Sequence, residues 1–377
     1  MKKHKICIAG GGLTGLIVAR ILSNEEVDID FIFGKQKRTN SVDLRATAIS
    51  ESNFHFLKSQ IKDLDLSLFN SINKMILFFE NKGKIANFLN LKQKKDLIIF
   101  FENRKFKSHL LKKLAKTNVQ IIKKSLEKVN VVKDEVISKN FSKTYDLIIL
   151  CLGAETAIYE DIIGKRGIQK DYSEYSITGS VSHDIKDLTA QQFFLDEGPL
   201  AILPYKKNFF SFVWSVEKKY FLKNEKRINL LVKEKLSSLL GNKKIIIKQS
   251  QKYPLKMSMK KNYYKKNTII LGEGIHTVHP IAGQGFNLVL RDIQKLTELI
   301  SRNIRLGLPI KNYNIPEQFS KSRKPENILI GLGIDSTRIF FKKNKFLDPF
   351  KSAMLSGFAK SSLLKDLSKK IANMGLK

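Results

Sequence analysis

The sequence predicts an α/β fold. A Rossmann-like nucleotide-binding domain carries an inserted antiparallel-sheet domain and a C-terminal helical segment. Three observations predict it. Lys5–Ala9 is a short buried strand that runs into Gly10-Gly11-Gly12-Leu13-Thr14-Gly15, followed by a helical pattern at Leu16, Val18, Ala19 and Leu22 and a second strand, Val27–Phe33. Far downstream, Thr268–Asp292 reads strand, acidic turn, glycine-rich loop, helix. Between them, from about residue 167 to 256, the pattern changes to alternating strands, the mark of a half-covered sheet.

In the first of these, strand, glycine turn and helix come in the order that a dinucleotide needs. Gly10 allows the tight turn, Gly12 admits a pyrophosphate, and Gly15 lets helix and strand pack closely. A carboxylate is expected at the tip of the second strand to hold a ribose. That tip reads Phe33-Gly34-Lys35, and the nearest acids, Asp28 and Asp30, lie at the start of the strand. Asp43-Leu-Arg45-Ala-Thr-Ala-Ile-Ser50 follows a polar loop and leads into a helix; Arg45 reads equally as a phosphate or ribose contact and as a surface ion pair. Lys74–Phe79 and Gly83–Asn90 form a hairpin, Asp96–Phe101 is an apolar run, and a basic helix extends from Glu102 to about Ala115. Val119–Ile122 and Val129–Val132 read as strands, and Tyr145–Ala154 as a fully buried parallel strand ending in glycine.

The inserted region offers Ser176–Ser182, Gly198–Tyr205, Phe209–Val216 and Lys244–Ser250 as strands, with Lys206–Asn208 as a hairpin loop and Trp214 as a core residue. The expected division is 1–70, 97–163 and 264–308 for the discontinuous nucleotide-binding domain, 71–96 and 164–263 for the sheet domain, and 309–377 for the helical region. Within the last, Leu364, Leu367, Ile371 and Met374 share one helical face, suited to docking on the protein or on a membrane surface.

In Thr268–Asp292 the apolar strand ends at Gly272, with Glu273 placed to accept hydrogen bonds from ligand hydroxyls. Gly283 and Gly285 open the start of a helix whose Phe286, Val289, Ile293, Leu296 and Ile300 recur at helical spacing. A helix start leaves N–H groups unpaired and carries partial positive charge, so a flat, electron-rich ligand is favoured there.

Composition narrows the classes. Of 377 residues, 42% are hydrophobic, enough for a buried core; 68 Lys+Arg against 35 Asp+Glu give a net charge of +33. The lysines are scattered and no nucleic-acid motif accompanies them, so nucleic acid is not expected, while an anionic membrane surface remains open. Two cysteines, Cys7 and Cys151, sit in apolar runs and exclude a disulfide framework or metal cluster. No run approaches the ~18 apolar residues of a membrane span. A cytoplasmic protein is expected, one that could lie peripherally on the inner face of the membrane.

Gly10-x-Gly12-x-x-Gly15, Asp43-x-Arg45-Ala-x-Ala and Gly272–Asp292 together resemble the FAD monooxygenases of the p-hydroxybenzoate-hydroxylase type, above all the ubiquinone-biosynthesis hydroxylases. Gly198–Pro204, Val213-Trp214, Tyr253-Pro254-Leu255 and Phe101-Glu102-Asn103 also fit, strongly to about residue 300 and weakly beyond. The resemblance implies FAD as cofactor and hydroxylation of a lipophilic, polyprenylated phenol by dioxygen through a C4a-hydroperoxyflavin, with NAD(P)H or a ferredoxin as reductant and other ubiquinone-biosynthesis proteins as partners.

It assigns the FAD pyrophosphate to Gly10, Gly12 and Gly15, the phosphate–ribose region to Arg45, and the ribityl chain to Glu273, which replaces an Asp. Gly283, Gln284, Gly285, Phe286 and Asn287 fall at the isoalloxazine. No catalytic residue is assigned; Pro280 and His279 are read as a wall on the substrate side, and His276 and His279 as structural rather than as bases. Two departures stand out. Leu152 occupies the place of an Asp in the family's second Asp-Gly motif, and Tyr159 that of an Arg. They bear on reduction by NAD(P)H more than on FAD, and they motivate a second reading, an accessory or scaffold protein of the same pathway.

Overall fold

The structure, a computed structural model, describes residues 3–34, 45–94, 96–154, 156–164, 166–241, 243–312, 314–342 and 351. Asp43 and Lys35 and the apolar face of Leu364, Leu367, Ile371 and Met374 lie outside the described residues.

In chain order, β1 (His4–Ala9), α1 (Leu13–Leu22) and β2 (Val27–Ile32) form the first unit. Then come β3 (Ala46–Ser50), α2 (Glu51–Gln60), β4 (Phe69–Ile72), β5 (Lys74–Asn81), β6 (Lys84–Lys92), β7 (Ile98–Glu102) and α3 (Asn103–Leu114). β8 (Gln120–Ile122), β9 (Leu126–Asn130), β10 (Glu135–Ser138), β11 (Phe141–Thr144), β12 (Leu147–Leu150) and α4 (Ala157–Ile163) complete the first half. The second half holds β13 (Gly167–His183), β14 (Ala190–Leu195), β15 (Gly198–Lys206), β16 (Phe209–Glu217), α5 (Lys218–Asn224), α6 (Ile228–Leu239) and β17 (Ile245–Lys260). β18 (Tyr264–Lys265), β19 (Thr268–Ile270), β20 (His276–Thr277), α7 (Gln284–Arg305) and α8 (Ile315–Phe341) follow.

The first sheet runs β18-β19-β12-β1-β2-β8, parallel except for the edge strand β18. Ile6, Ile8, Leu147, Ile149 and Ile269 are wholly buried, as a sheet covered by helices on both faces demands. The strand order reverses at β1, so the crevice beyond its carboxyl end is where such a sheet takes its ligand.

The inserted sheet has eight strands, β20-β17-β13-β16-β15-β14-β5-β6, so β5 and β6 join the later strands in one layer, while β4, at Ser71 and Ile72, pairs with β7 in a separate sheet. Here the structure departs from a purely antiparallel reading: β14 pairs with β5 in parallel. β13 and β17 are also far longer than their apolar alternation suggested. Pro254 is tolerated in β17 because β20 pairs only near Ser258 and Met259, leaving Pro254 on an edge. Two smaller differences have local causes. Val129–Val132 is not one strand: β9 stops at Asn130, whose side chain accepts from the N–H groups of Val132 and Lys133 and turns the chain. And the helix after Arg45 is preceded by a strand, β3, ending at Ser50, which caps α2 by accepting from the Asn53 N–H.

One face of the inserted sheet is apolar. Ile177, Phe210, Phe212 and Trp214 pack under α5 and α6 against Phe221 and Val232, which places Trp214 fully in the core. The other face, also buried, carries Glu174, Ser176, Gln192, Ser211 and Ser215. Apolar packing would be the ordinary filling for a covered face, so a serine-rich one marks a place where something polar is accommodated. Among the described residues no helix is long and apolar enough to cross a membrane.

Candidate active site

β1, β12 and β19 are each followed within three residues by a glycine, Gly10, Gly153 and Gly272. At Gly10, with φ +126°, a Cβ would lie 2.1 Å from the Cys151 carbonyl oxygen, so the turn closes only without a side chain. At Gly15 a Cβ would lie 2.0 Å from the Gly10 oxygen, which is the close helix–strand contact in physical form. Gly12 caps α1 with open space around it, no side chain caps the helix, and no acid sits in its first turn. The unpaired N–H groups of α1 therefore face a clearing able to take an anionic group. Asp30 does not serve the ribose end: its carboxylate is buried, accepting from Tyr145 Oη at 2.7 Å and Lys143 Nζ at 2.6 Å. Asp28 is exposed at the strand's start, and the tip at Gly34 packs on Ser125.

The second turn meets the first. Beyond β19 the chain makes a 3-10 turn, Gly272–Gly274, with Glu273 exposed between two buried glycines. A Cβ on Gly272 would lie 3.1 Å from Thr14, in the first turn of α1; one on Gly274 would strike Tyr159 at 2.6 Å. The two glycine turns thus border one crevice. Tyr159, in the position where the resemblance expects an arginine, is fully buried, and its hydroxyl oxygen accepts from the Leu152 N–H at 2.7 Å. Burial above all pushes that phenol's pKa up. Cys7 and Cys151 are buried free thiols, likewise pushed up by burial and therefore inert.

The third wall is the start of α7. Pro280 leads into a 3-10 turn, Ile281–Gly283, and Gly283 adopts the left-handed conformation, φ +62°, against Ala48 of β3. No side chain caps α7 and no acid lies in its first turn. Gln284, Gly285 and Phe286 are half-buried there, with Phe286 edge-on to Phe101. Asn287 is otherwise employed. Its amide oxygen accepts from Ser50 N at 2.8 Å and Asn53 Nδ2 at 2.7 Å, and its Nδ2 donates to the Ala48 and Gly283 oxygens. It clamps α7 onto β3 and α2 and leaves the helix N–H groups for a ligand. Arg45 lies on the inserted sheet, 6.0 Å from the Tyr253 ring, lining a narrow cleft with Thr178, Ser180 and Gln249.

The two histidines each hold a buried carboxylate. His276 Nε2 lies 2.6 Å from Asp292 on α7, and Asp292 accepts from Arg323 Nε at 2.7 Å and Asn327 Nδ2 at 3.0 Å, both on α8. Burial would raise the Asp292 carboxyl, but His276 and Arg323 outweigh it and hold it below the usual range. His279, fully buried, accepts the Ile281 N–H at Nδ1, which leaves Nε2–H to donate to Glu174 at 3.0 Å. The other Glu174 oxygen accepts from Arg338 Nε at 3.1 Å, and the guanidinium lies over the Tyr172 ring, 4.5 Å from its centre. Burial opposes the ionised carboxyl here too, yet the bonds from His279 and Arg338 hold it low. A bulge in β13 between Asp171 and Glu174 accompanies the inward turn of Tyr172 and Glu174.

Glu174 and Arg338 border a cavity of about 200 Å³ on the serine-rich face of the sheet. Its wall includes Ile281 from the α7 loop, Phe194, Pro199 and Ser215 from the sheet, and Phe341 from the end of α8, stacked on Phe194 at 3.6 Å. Sequence reasoning missed Glu174, Arg323 and Arg338, and quoted Asp292 as a motif residue without giving it a role. The one available signal was the inward stripe of α8, Arg323, Asn327, Gly331, Ile334 and Arg338, which sets two arginines on a buried face.

These geometries accord with what the chain is similar to. The profile described as "FAD binding domain" matches residues 3–305. A ubiquinone biosynthesis monooxygenase (COQ6) of Dictyostelium discoideum is 27% identical over 213 residues, 48% of this chain and 43% of that protein. The 3-demethoxyubiquinol 3-hydroxylase of Escherichia coli is 28% identical over 186 residues, 48% of this chain and 47% of that one. The matches thus span less than half the length of these two relatives. In three dimensions the p-nitrophenol 4-monooxygenase of Pseudomonas putida superposes with a TM-score of 0.77 at 15% identity, covering 97% of this chain and 98% of its own, a likeness of fold.

Proposed function

This chain belongs to the FAD-binding domain family, and from that premise we propose that it is an FAD-dependent monooxygenase that hydroxylates the aromatic ring of a polyprenylated phenol in ubiquinone biosynthesis. The observation that carries the proposal is the convergence of two uncapped helix starts, α1 and α7, with the Glu273 turn between them, next to a cavity that shares Ile281 with the α7 loop. Bound and reduced, the flavin supplies activation of dioxygen and delivery of one oxygen atom to the ring.

The residues of this chain bind, orient and exclude water. The α1 N–H groups at Gly12 hold the pyrophosphate, with Gly10 and Gly15 giving the close approach. Glu273 accepts from ribityl hydroxyls. The first N–H groups of α7, at Gln284–Phe286, lie against the ring system and favour negative charge on it. Asn287 fixes that helix start, and Arg45 belongs to the outer edge, toward the inserted sheet. Pro280 and the buried His279 form the wall between flavin and cavity. NAD(P)H or a ferredoxin serves as reductant, dioxygen as co-substrate. Other ubiquinone-biosynthesis proteins and an anionic membrane inner face are the natural surroundings of a substrate with an apolar tail, and the basic surface suits the latter.

One observation favours a second reading. Leu152 and Tyr159, where the family has charged residues, join each other, the Leu152 N–H donating to the Tyr159 hydroxyl oxygen, and offer no charge to a reductant. An accessory protein that keeps the fold without turnover would tolerate them.

Two measurements test the proposal. Purified protein is expected to be yellow and to release FAD on denaturation, and Gly12→Asp is expected to lose flavin at least tenfold by placing a carboxylate at the pyrophosphate clearing; unchanged flavin content in that variant rejects the assignment. Quinone profiling of a strain lacking the gene is expected to show an intermediate short of one ring hydroxyl. A normal quinone pool, or colourless protein that takes up no FAD, sinks the monooxygenase reading and leaves the accessory one.

A further inference from the structure

The cavity beside Ile281 has a chemistry of its own. Four of its wall residues are acids, Glu174, Asp196, Glu197 and Glu217, against two bases, Arg338 and Lys342. In a chain of net charge +33 this is a local reversal of sign. Both bases are committed: Arg338 to Glu174, and Lys342 to Glu217 at 2.9 Å. Glu197 takes one bond from Lys235 at 2.6 Å, while its second oxygen is buried with no hydrogen-bond partner among the described residues. Ser215, 2% exposed on β16, also lines this wall. A buried carboxylate oxygen is ordinarily paired, so the partner missing at Glu197 is expected to come from whatever fills the cavity, toward which the Ser215 hydroxyl can both donate and accept.

Resting on the reading of this cavity as the site of the aromatic ring, we infer that it is built for an uncharged ring bearing a hydroxyl, held by Ser215, and that it turns away the same ring carrying a carboxylate. Phe194, Phe341 and Pro199 supply faces for the ring. A phenol hydroxyl both donates and accepts, so it satisfies Ser215 and can give its proton to an acidic oxygen in a hydrogen bond. A carboxylate only accepts. Its charge would meet four wall carboxylates against three cations, Arg338, Lys342 and Lys235, each already paired with one of those carboxylates, and that excess of negative charge is expected to cost at least about a tenfold loss of affinity.

The test uses FAD-loaded protein and calorimetric titration with two soluble probes, 2-allylphenol and 3-allyl-4-hydroxybenzoate. The neutral phenol is expected to bind at least about tenfold more tightly. The double substitution Asp196→Asn with Glu197→Gln is expected to narrow that ratio severalfold by admitting the acid. Ser215→Ala is expected to weaken the phenol severalfold. Equal or tighter binding of the acid, an unaltered ratio in the double variant, or no binding of either probe overturns the inference. FAD content reports folding of each variant and separates the two ideas: wild-type protein without FAD fails the proposed function, whereas FAD-loaded protein blind to the carboxylate fails only this inference. If Ser215→Ala itself loses FAD, the ratio in the rim double variant decides.

Discussion

His276 and His279 stand three residues apart in one short segment, and the structure puts them to different uses. His276 binds Asp292 inside the nucleotide-binding half, in a network closed by Arg323, Asn327 and Glu326, with 1% and 0% of the two side chains exposed. His279 reaches across to Glu174 of the inserted sheet, and through it to Arg338 of α8, on the wall of the cavity. The first network joins β20, α7 and α8 through side chains that are almost wholly buried. The second joins the loop that leads into α7, the inserted sheet and α8, and borders the cavity. The same residue type in the same loop is a rivet in one case and an aiming strut in the other. The carboxylate it meets decides which.

Breaking the two networks should sharpen that contrast. Asp292→Asn has the larger expected effect. It leaves Arg323 and His276 in a dry interior with their charge partner gone, and loss of one member of a buried pair costs about 3–5 kcal/mol. Urea unfolding of the variant is the measurement, and a loss below about 1 kcal/mol would show that water or Glu326 compensates and that the network is not closed. Glu174→Gln should cost less, about 1–3 kcal/mol, because Arg338 borders a cavity from which water can solvate it. It should also loosen the Pro280–Gly283 loop, read as a change in the fluorescence of bound flavin that Asp292→Asn does not produce. If the order of the two losses is reversed, or if the flavin signal follows the wrong variant, the distinction between rivet and strut fails.

How much of this was legible beforehand follows from sequence separation. The Gly10–Gly15 turn, β12 and the Thr268–Asp292 segment are local devices. Their glycines, apolar runs and helical spacing lie within some twenty residues, so the chain displays them in order. The carboxylate missing at the second strand's tip was equally visible, since Asp28 and Asp30 sit at the wrong end. The cavity was not. Glu174 and His279 are 105 residues apart and Glu174 and Arg338 are 164, and each is an ordinary polar residue in its own neighbourhood. Ser215 alternates correctly on a strand beside Trp214, yet nothing local says that its face is covered. Arg338, Phe341 and Lys342 also fall beyond residue 305, where the FAD-binding domain match ends and the resemblance is weak.

The smallest expected effect is a pH dependence, and it bears on both networks at once. Burial pushes the Asp292 and Glu174 carboxyls up, but the partners around each more than offset it, so both titrate lower in the folded chain than in the unfolded one. The unfolded chain therefore binds protons first as pH falls. The stabilisation is complete above the ordinary carboxylate range of about 4 and is lost progressively as pH drops through the folded values, at about 1.4 kcal/mol for each unit of difference. Urea midpoints measured from pH 6 downward should be flat and then fall below about pH 4. Asp292→Asn and Glu174→Gln should each shallow that fall, because each removes one group that couples folding to protons. Glu174→Gln should do so by less, since its carboxylate borders a cavity where water can share the charge. An acid limb identical in wild type and both variants would mean that other carboxylates carry it, and that these two networks hold geometry without contributing to stability.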